Sequence, residues 1–141
     1  MIEINNRTKY RVNARLIKRI VNKFLAARGW RKKDVSLAFV GDARMRELNR
    51  RYRKKDCPTD VLSFAEEGTN KQELGEIIID PAQIKRQAPE NGNSFPQELI
   101  FILVHGLLHL AGYDDRTEKE RLEMIKIGEE FIRKLAGRSK K

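Results

Sequence analysis

Phe101-Ile-Leu-Val-His-Gly-Leu-Leu-His-Leu-Ala-Gly112 decides how this chain folds. Residues 96–111 are apolar nearly all round, so they read as a helix at the centre of the protein. The only two histidines of the chain, His105 and His109, lie within it. Positions i and i+4 project from one helix face, one turn apart. Gly112 stops the helix, and Asp114 and Asp115 arrive on the turn that follows. A helical His pair plus a ligand from the next loop can build a three-ligand metal site with an open position.

Unpaired imidazoles on so apolar a helix would cost roughly 1–3 kcal/mol each, and one metal ion would satisfy both. Gly106 supports a special role for this segment. A glycine inside a helix costs about 1 kcal/mol against alanine, so something should approach the backbone closely there. Asp114 and Asp115 are both candidates for the third ligand, and both could instead cap the turn before Thr117. Two histidines and one carboxylate suit one divalent ion: zinc, with Ni(II), Co(II), Fe(II) or Mn(II) as alternatives. In H-E-x-x-H metallopeptidases a glutamate follows the first histidine as general base. Gly106 stands there, which disfavours peptide hydrolysis by that route; in a hydrolase the proton acceptor then lies elsewhere, or the metal-bound hydroxide suffices.

Moving outward, Ile2 to Asn5 reads as a short strand. Asn13 is a good N-cap for a helical stripe of Leu16, Ile17, Ile20, Val21, Phe24 and Leu25, which Gly29 ends. Val35 to Val40 alternates as a strand. Asp42 is expected to cap a second helix that turns Met45, Leu48 and Tyr52 inward. Val61 to Phe64 and Glu76 to Ile79 read as strands. Asp80-Pro81 opens a short helix, and Ala88 to Ser94 reads as loop. Thr117-Glu-Lys-Glu120 matches a capping box for a last amphipathic helix. The order β-α-β-α-β-β-α-α-α predicts an α+β fold, a mixed sheet of about four strands packed with helices around a buried central metal-binding helix. Residues 1–141 form one domain, with 137–141 a frayed tail.

One cysteine, Cys57, rules out an intramolecular disulfide. The N-terminus lacks a signal-peptide core, and the longest apolar run is too short to cross a bilayer. These features predict a soluble cytoplasmic protein without a membrane partner. Thirty Lys+Arg against 20 Asp+Glu give a net charge of +10, which favours a polyanionic partner. The charge is concentrated in Arg50-Arg-Tyr-Arg-Lys-Lys55, more cations than a helix C-terminus needs. Arg44, Arg46, Arg28, Arg31, Lys32 and Lys33 extend this basic area. Such a segment suits a phosphate backbone. A basic protein with an open metal site reads as a phosphodiester hydrolase, because a metal activates water and an arginine stabilises charge on phosphate oxygens.

Two blocks resemble the bacterial YbeY family of rRNA maturation factors, described as single-strand-specific endoribonucleases. His105-Gly-Leu-Leu-His-Leu-Ala-Gly-Tyr-Asp-Asp115 is similar to H-G-x-L-H-L-x-G-Y-D-H, departing at the last position. Tyr52-Arg-Lys-Lys-Asp-Cys-Pro-Thr-Asp-Val-Leu-Ser-Phe64 resembles Y-R-x-K-D-x-P-T-[DN]-V-L-S-F. Leu74-Gly-Glu-Ile77 is similar to the family's L-G-D-I. The resemblance implies a zincin-like fold, zinc ligands at His105 and His109, and a third ligand at Asp115 where the family has histidine. It implies a functional arginine at Arg53. Arg50, Lys54 and Lys55 of the basic segment are expected to help dock the RNA backbone. The implied role is cleavage of single-stranded RNA in 16S rRNA maturation and ribosome quality control, with ribosomal proteins as partners. A ribosome-assembly factor with a structural metal, or a metallopeptidase, are the alternatives.

Overall fold

Period-two alternation makes the sheet. In the computed structural model, which describes residues 1–69 and 71–139 with side chains through 135, β1 (Ile2–Asn6), β2 (Asp34–Phe39), β3 (Val61–Ala65) and β4 (Glu73–Ile79) form one sheet. Its order is β1-β2-β4-β3. β1, β2 and β4 run parallel, and β3 runs antiparallel to β4 at the edge. Helices α1 (Ala14–Ala27), α2 (Asp42–Arg53), α3 (Pro81–Gln87), α4 (Phe95–Leu110) and α5 (Glu118–Ser139) complete the expected α+β fold. Among the described residues no helix is long and apolar enough to cross a membrane. The backbone of α5 reaches Ser139; the remainder of the tail expected to fray lies outside the described residues.

Alternate side chains of one strand serve opposite faces. Val35, Leu37 and Phe39 of β2, with Ile77 and Ile79 of β4, enter the larger core with α1 and α4. Ala38, Ile78 and Leu62 face the other way, into a smaller core under Met45 and Leu48 of α2. Helix α4 packs against β3, β4, α1, α3 and α5, which cover most of its apolar surface. It starts one residue earlier than expected, because Ser94 and Gln97 form a capping box.

Three local readings are corrected. Gly41, not Asp42, is the N-cap of α2; Asp42 instead takes two hydrogen bonds from Arg86, at 2.8 and 2.9 Å. Tyr52 is not inward but 57% exposed, because the last turn of α2 reaches the edge strand and not the sheet centre. The 88–94 loop contains a 3-10 turn at Pro89–Asn91.

Strand β4 also begins earlier than its apolar run. Gly75 has φ +151° at a register shift opposite Asp34 and Val35, a bulge that a side chain would obstruct. A Cβ there would collide with the Phe64 carbonyl oxygen and lie 2.8 Å from Leu110 Cδ2. Gly75→Ala is therefore expected to destabilise the fold by about 2–4 kcal/mol, read by urea unfolding.

At the N-terminus of α3, Asp80 accepts from the Ala82 amide at 3.1 Å and is fully buried. Its second oxygen has no donor and faces Asp42. Burial first, then the Asp42 carboxylate, pushes the Asp80 carboxyl up from 3.8 to about 7. Below about pH 7 the pair then holds one proton, on Asp80, while Arg86 keeps Asp42 charged, down at about 2. A folded pKa above the unfolded one stabilises fully below the unfolded value and is lost as pH rises through the folded value. Asp80→Asn stays neutral, keeps the cap oxygen and offers Asp42 an N–H. We expect its stability relative to wild type to rise between pH 5 and pH 8, by on the order of a few kcal/mol in paired urea titrations. A pH-independent difference would refute the shared proton.

Candidate metal centre and its cleft

The i, i+4 spacing on α4 sets the rings of His105 and His109 4.8 Å apart at 79°. The chain then reverses. The Gly112 amide donates to the His109 carbonyl and the Tyr113 amide to the Leu108 carbonyl, with Gly112 at φ +101°. This glycine-ended double hydrogen bond swings the following residues back over the last turn of the helix. Tyr113 is clamped there: Arg28 Nη2 donates to its hydroxyl at 3.2 Å, and the guanidinium lies 5.1 Å from its ring centroid. Arg28 also lies over Phe24 and Trp30, so it is a brace for the turn and not part of a phosphate-binding surface.

The turn separates the two aspartates. Asp114 accepts from the Asp115 amide at 2.9 Å and pairs with Arg116 Nε at 3.0 Å. Asp115 Oδ2 sits 3.3 Å from Nε2 of both His105 and His109. These three donors lie within 4.8 Å of one another, and Asp114 is not among them. Ligand bonds of about 2.0–2.2 Å in a tetrahedral arrangement separate donors by roughly 3.3–3.6 Å, so the two histidine–aspartate spacings fit a single ion. The side chains are 19%, 28% and 35% exposed, which leaves room for a further ligand from the cleft. Burial, and then the neighbouring His109, lower the His105 pKa against the pull of Asp115. That favours the neutral ring, the form with a lone pair to donate.

Gly106 is explained by the sheet. A Cβ on it would lie 3.1 Å from Ile77 Cγ2 and 3.3 Å from Ser63 Oγ, and Ser63 Oγ donates to the Gly106 carbonyl at 3.2 Å. The close approach expected at this glycine is thus α4 settling onto β3 and β4.

The histidines and Asp115 open into a cleft of about 900 Å³, within the range of roughly 300–1,000 Å³ usual for ligand sites. Tyr52 and Arg53 line it from the end of α2, Arg116 from the turn after α4 and Arg121 from α5. Arg50, Lys54 and Lys55 are exposed and lie outside its wall. Arg44 pairs with Glu47, and Arg46 with Asp56. Sequence reasoning missed Arg116, Arg121 and Asp60 among the lining residues. Gln87 Nε2 donates to Asp60 Oδ2 and to Glu98 Oε2, each at 2.9 Å. Asn91 and Asn93 also donate to Glu98, which is 1% exposed. A buried carboxylate is tolerable with so many donors. Residues so far apart in the chain carry no local signal of this network.

A sequence model of the family described as "Endoribonuclease YbeY" matches residues 3–136. The endoribonuclease YbeY of Geobacillus thermodenitrificans is 48% identical over 110 residues, 70% of each chain. That of Bacillus cereus strain G9842 is 48% identical over 103 residues, which span 65% of this chain and 66% of the relative, just under two thirds of its length. The solution structure of TM1509 from Thermotoga maritima superposes with a TM-score of 0.67 at 29% identity, covering 99% of this chain and 92% of that one. The match along nearly the whole chain, and the fold shared with it, place this protein in the endoribonuclease YbeY family.

Proposed function

We propose that the cleft is the active site of a metal-dependent endoribonuclease that cuts phosphodiester bonds in single-stranded RNA. The observation that carries this reading is the convergence of His105, His109 and Asp115 in the cleft that Arg53 also lines. His105 and His109 supply neutral nitrogen ligands and Asp115 a charged oxygen, so the ion is zinc or another borderline divalent metal. When bound, such an ion lowers the pKa of coordinated water and polarises a phosphoryl oxygen. Arg53 holds the scissile phosphate and counters the charge that builds on its oxygens. Arg50, Lys54 and Lys55 steer the flanking backbone electrostatically from the exposed end of α2. The assignment of α4 as a zincin-like metal helix belongs to the same reading.

The substrate is RNA of the small ribosomal subunit, met in the cytoplasm during 16S maturation and quality control, with ribosomal proteins as neighbours. The family membership and the net charge of +10 support it. The test uses protein purified without a His-tag. Elemental analysis should find about one divalent ion per chain; chelation should stop cleavage of single-stranded RNA, and the returned ion should restore it. Protein that binds RNA, holds its metal and never cuts would instead be an assembly factor with a structural ion.

A further inference from the structure

The inward stripe of α2 runs through Met45 and Leu48, both buried in the smaller core. Tyr52 is the next residue on that stripe, one turn on. There the sheet ends at β3, and the ring sits edge-on to the partly buried Phe64, at 5.0 Å between centroids and 67° between planes. Phe64 itself packs against the smaller core and so anchors the contact. Tyr52 is the one aromatic among the strongly exposed large apolar side chains of the described residues. It lines the cleft and directly precedes Arg53. The other cleft aromatics are engaged: Tyr113 by Arg28, Phe64 by the smaller core, and Phe101 by the His105 ring at 6.4 Å.

We propose that Tyr52 is the platform on which an unpaired base of the RNA stacks beside the reacting phosphate. This rests on the endoribonuclease reading and adds the residue that selects single strands. A base inside a duplex has both faces covered by its neighbours. An unpaired base can be splayed onto an aromatic ring, whatever its identity. The chain thus sets an aromatic ring and a cation on consecutive residues at the end of α2, both lining the same cleft. A hydroxyl is not needed for this, but a ring is.

The experiment is single-turnover cleavage of a short single-stranded oligoribonucleotide by the full, metal-loaded chain, with saturation and maximal rate read separately. Tyr52→Ala should raise the half-saturating concentration about tenfold, the size of one base–aromatic stack, with metal content unchanged and the thermal midpoint lowered by no more than a few degrees through the lost Phe64 contact. Tyr52→Phe should recover most of that loss. One abasic site in the RNA should weaken wild type by a similar factor and Tyr52→Ala no further. If Tyr52→Ala saturates like wild type, or if the abasic and alanine losses simply multiply, the stacking platform is overturned while the nuclease stands. Wild-type protein that neither binds nor cuts the RNA overturns the endoribonuclease reading and the platform with it.

Discussion

His109→Ala is expected to empty the metal site and abolish RNA cleavage in one step. The three donors come from two helical turns and the chain reversal that follows, and Asp115 Oδ2 is equally close to both imidazoles. Removing one imidazole leaves two donors, one of them a carboxylate more than a third exposed on its turn. Loss of even an outer-shell partner typically lowers metal affinity about 10- to 100-fold, so loss of a direct ligand should exceed about 100-fold. The fold should survive, because His109 is 28% exposed and its neighbours Leu107, Leu108 and Leu110 make the buried contacts. Metal content by elemental analysis and the unfolding midpoint separate the two effects. A His109→Ala protein that retains a full equivalent of metal and cuts RNA would dismantle the proposed centre. Asp115→His is the informative companion. It replaces the oxygen donor with a third nitrogen on the same turn, so metal binding should persist and shift its preference toward zinc over manganese.

The sheet, the central helix and the histidine pair were legible because each rests on short-range periodicity. Strand alternation from Val35 to Phe39 and the i, i+4 spacing on α4 survive any tertiary arrangement. The choice of Asp115 over Asp114 was not legible from spacing. It depends on the hydrogen bonds at Gly112 and on the clamp between Arg28 and Tyr113, whose partners lie 85 residues apart. The basic area was legible in total and not in detail. Arg28, Arg44 and Arg46 each have a partner within the protein, which no linear count of cations reveals. Tyr52 fits an inward stripe by sequence, and only the position of the sheet edge turns it outward. Gly106 signalled a close approach correctly, but the neighbour is Ile77 and Ser63 of the sheet.

Arg53→Ala is expected to keep the metal and lose cleavage, the reverse of a ligand substitution. Three arginines line the cleft, and they are not equivalent. Arg116 pairs with Asp114 at 3.0 Å and Arg121 with Glu118 at 2.7 Å. Arg53 pairs with no carboxylate among the described residues, so its guanidinium is free to take a phosphate without first giving up a partner. It sits in the last turn of α2, where a cation adds only about 0.3–1 kcal/mol to helix stability, so the variant should fold. Removing a donor aimed at developing charge typically costs about 100- to 1,000-fold in rate, and that is the loss expected here. Arg53→Lys should fall between, since it keeps the charge but not the planar fork that binds two phosphate oxygens at once. The salt dependence of binding should flatten by about one counterion in Arg53→Ala, a readout that a purely structural arginine would leave unchanged. Equal cleavage by wild type and Arg53→Ala would remove this residue from the reaction and leave charge stabilisation to the ion and to cations that are already paired.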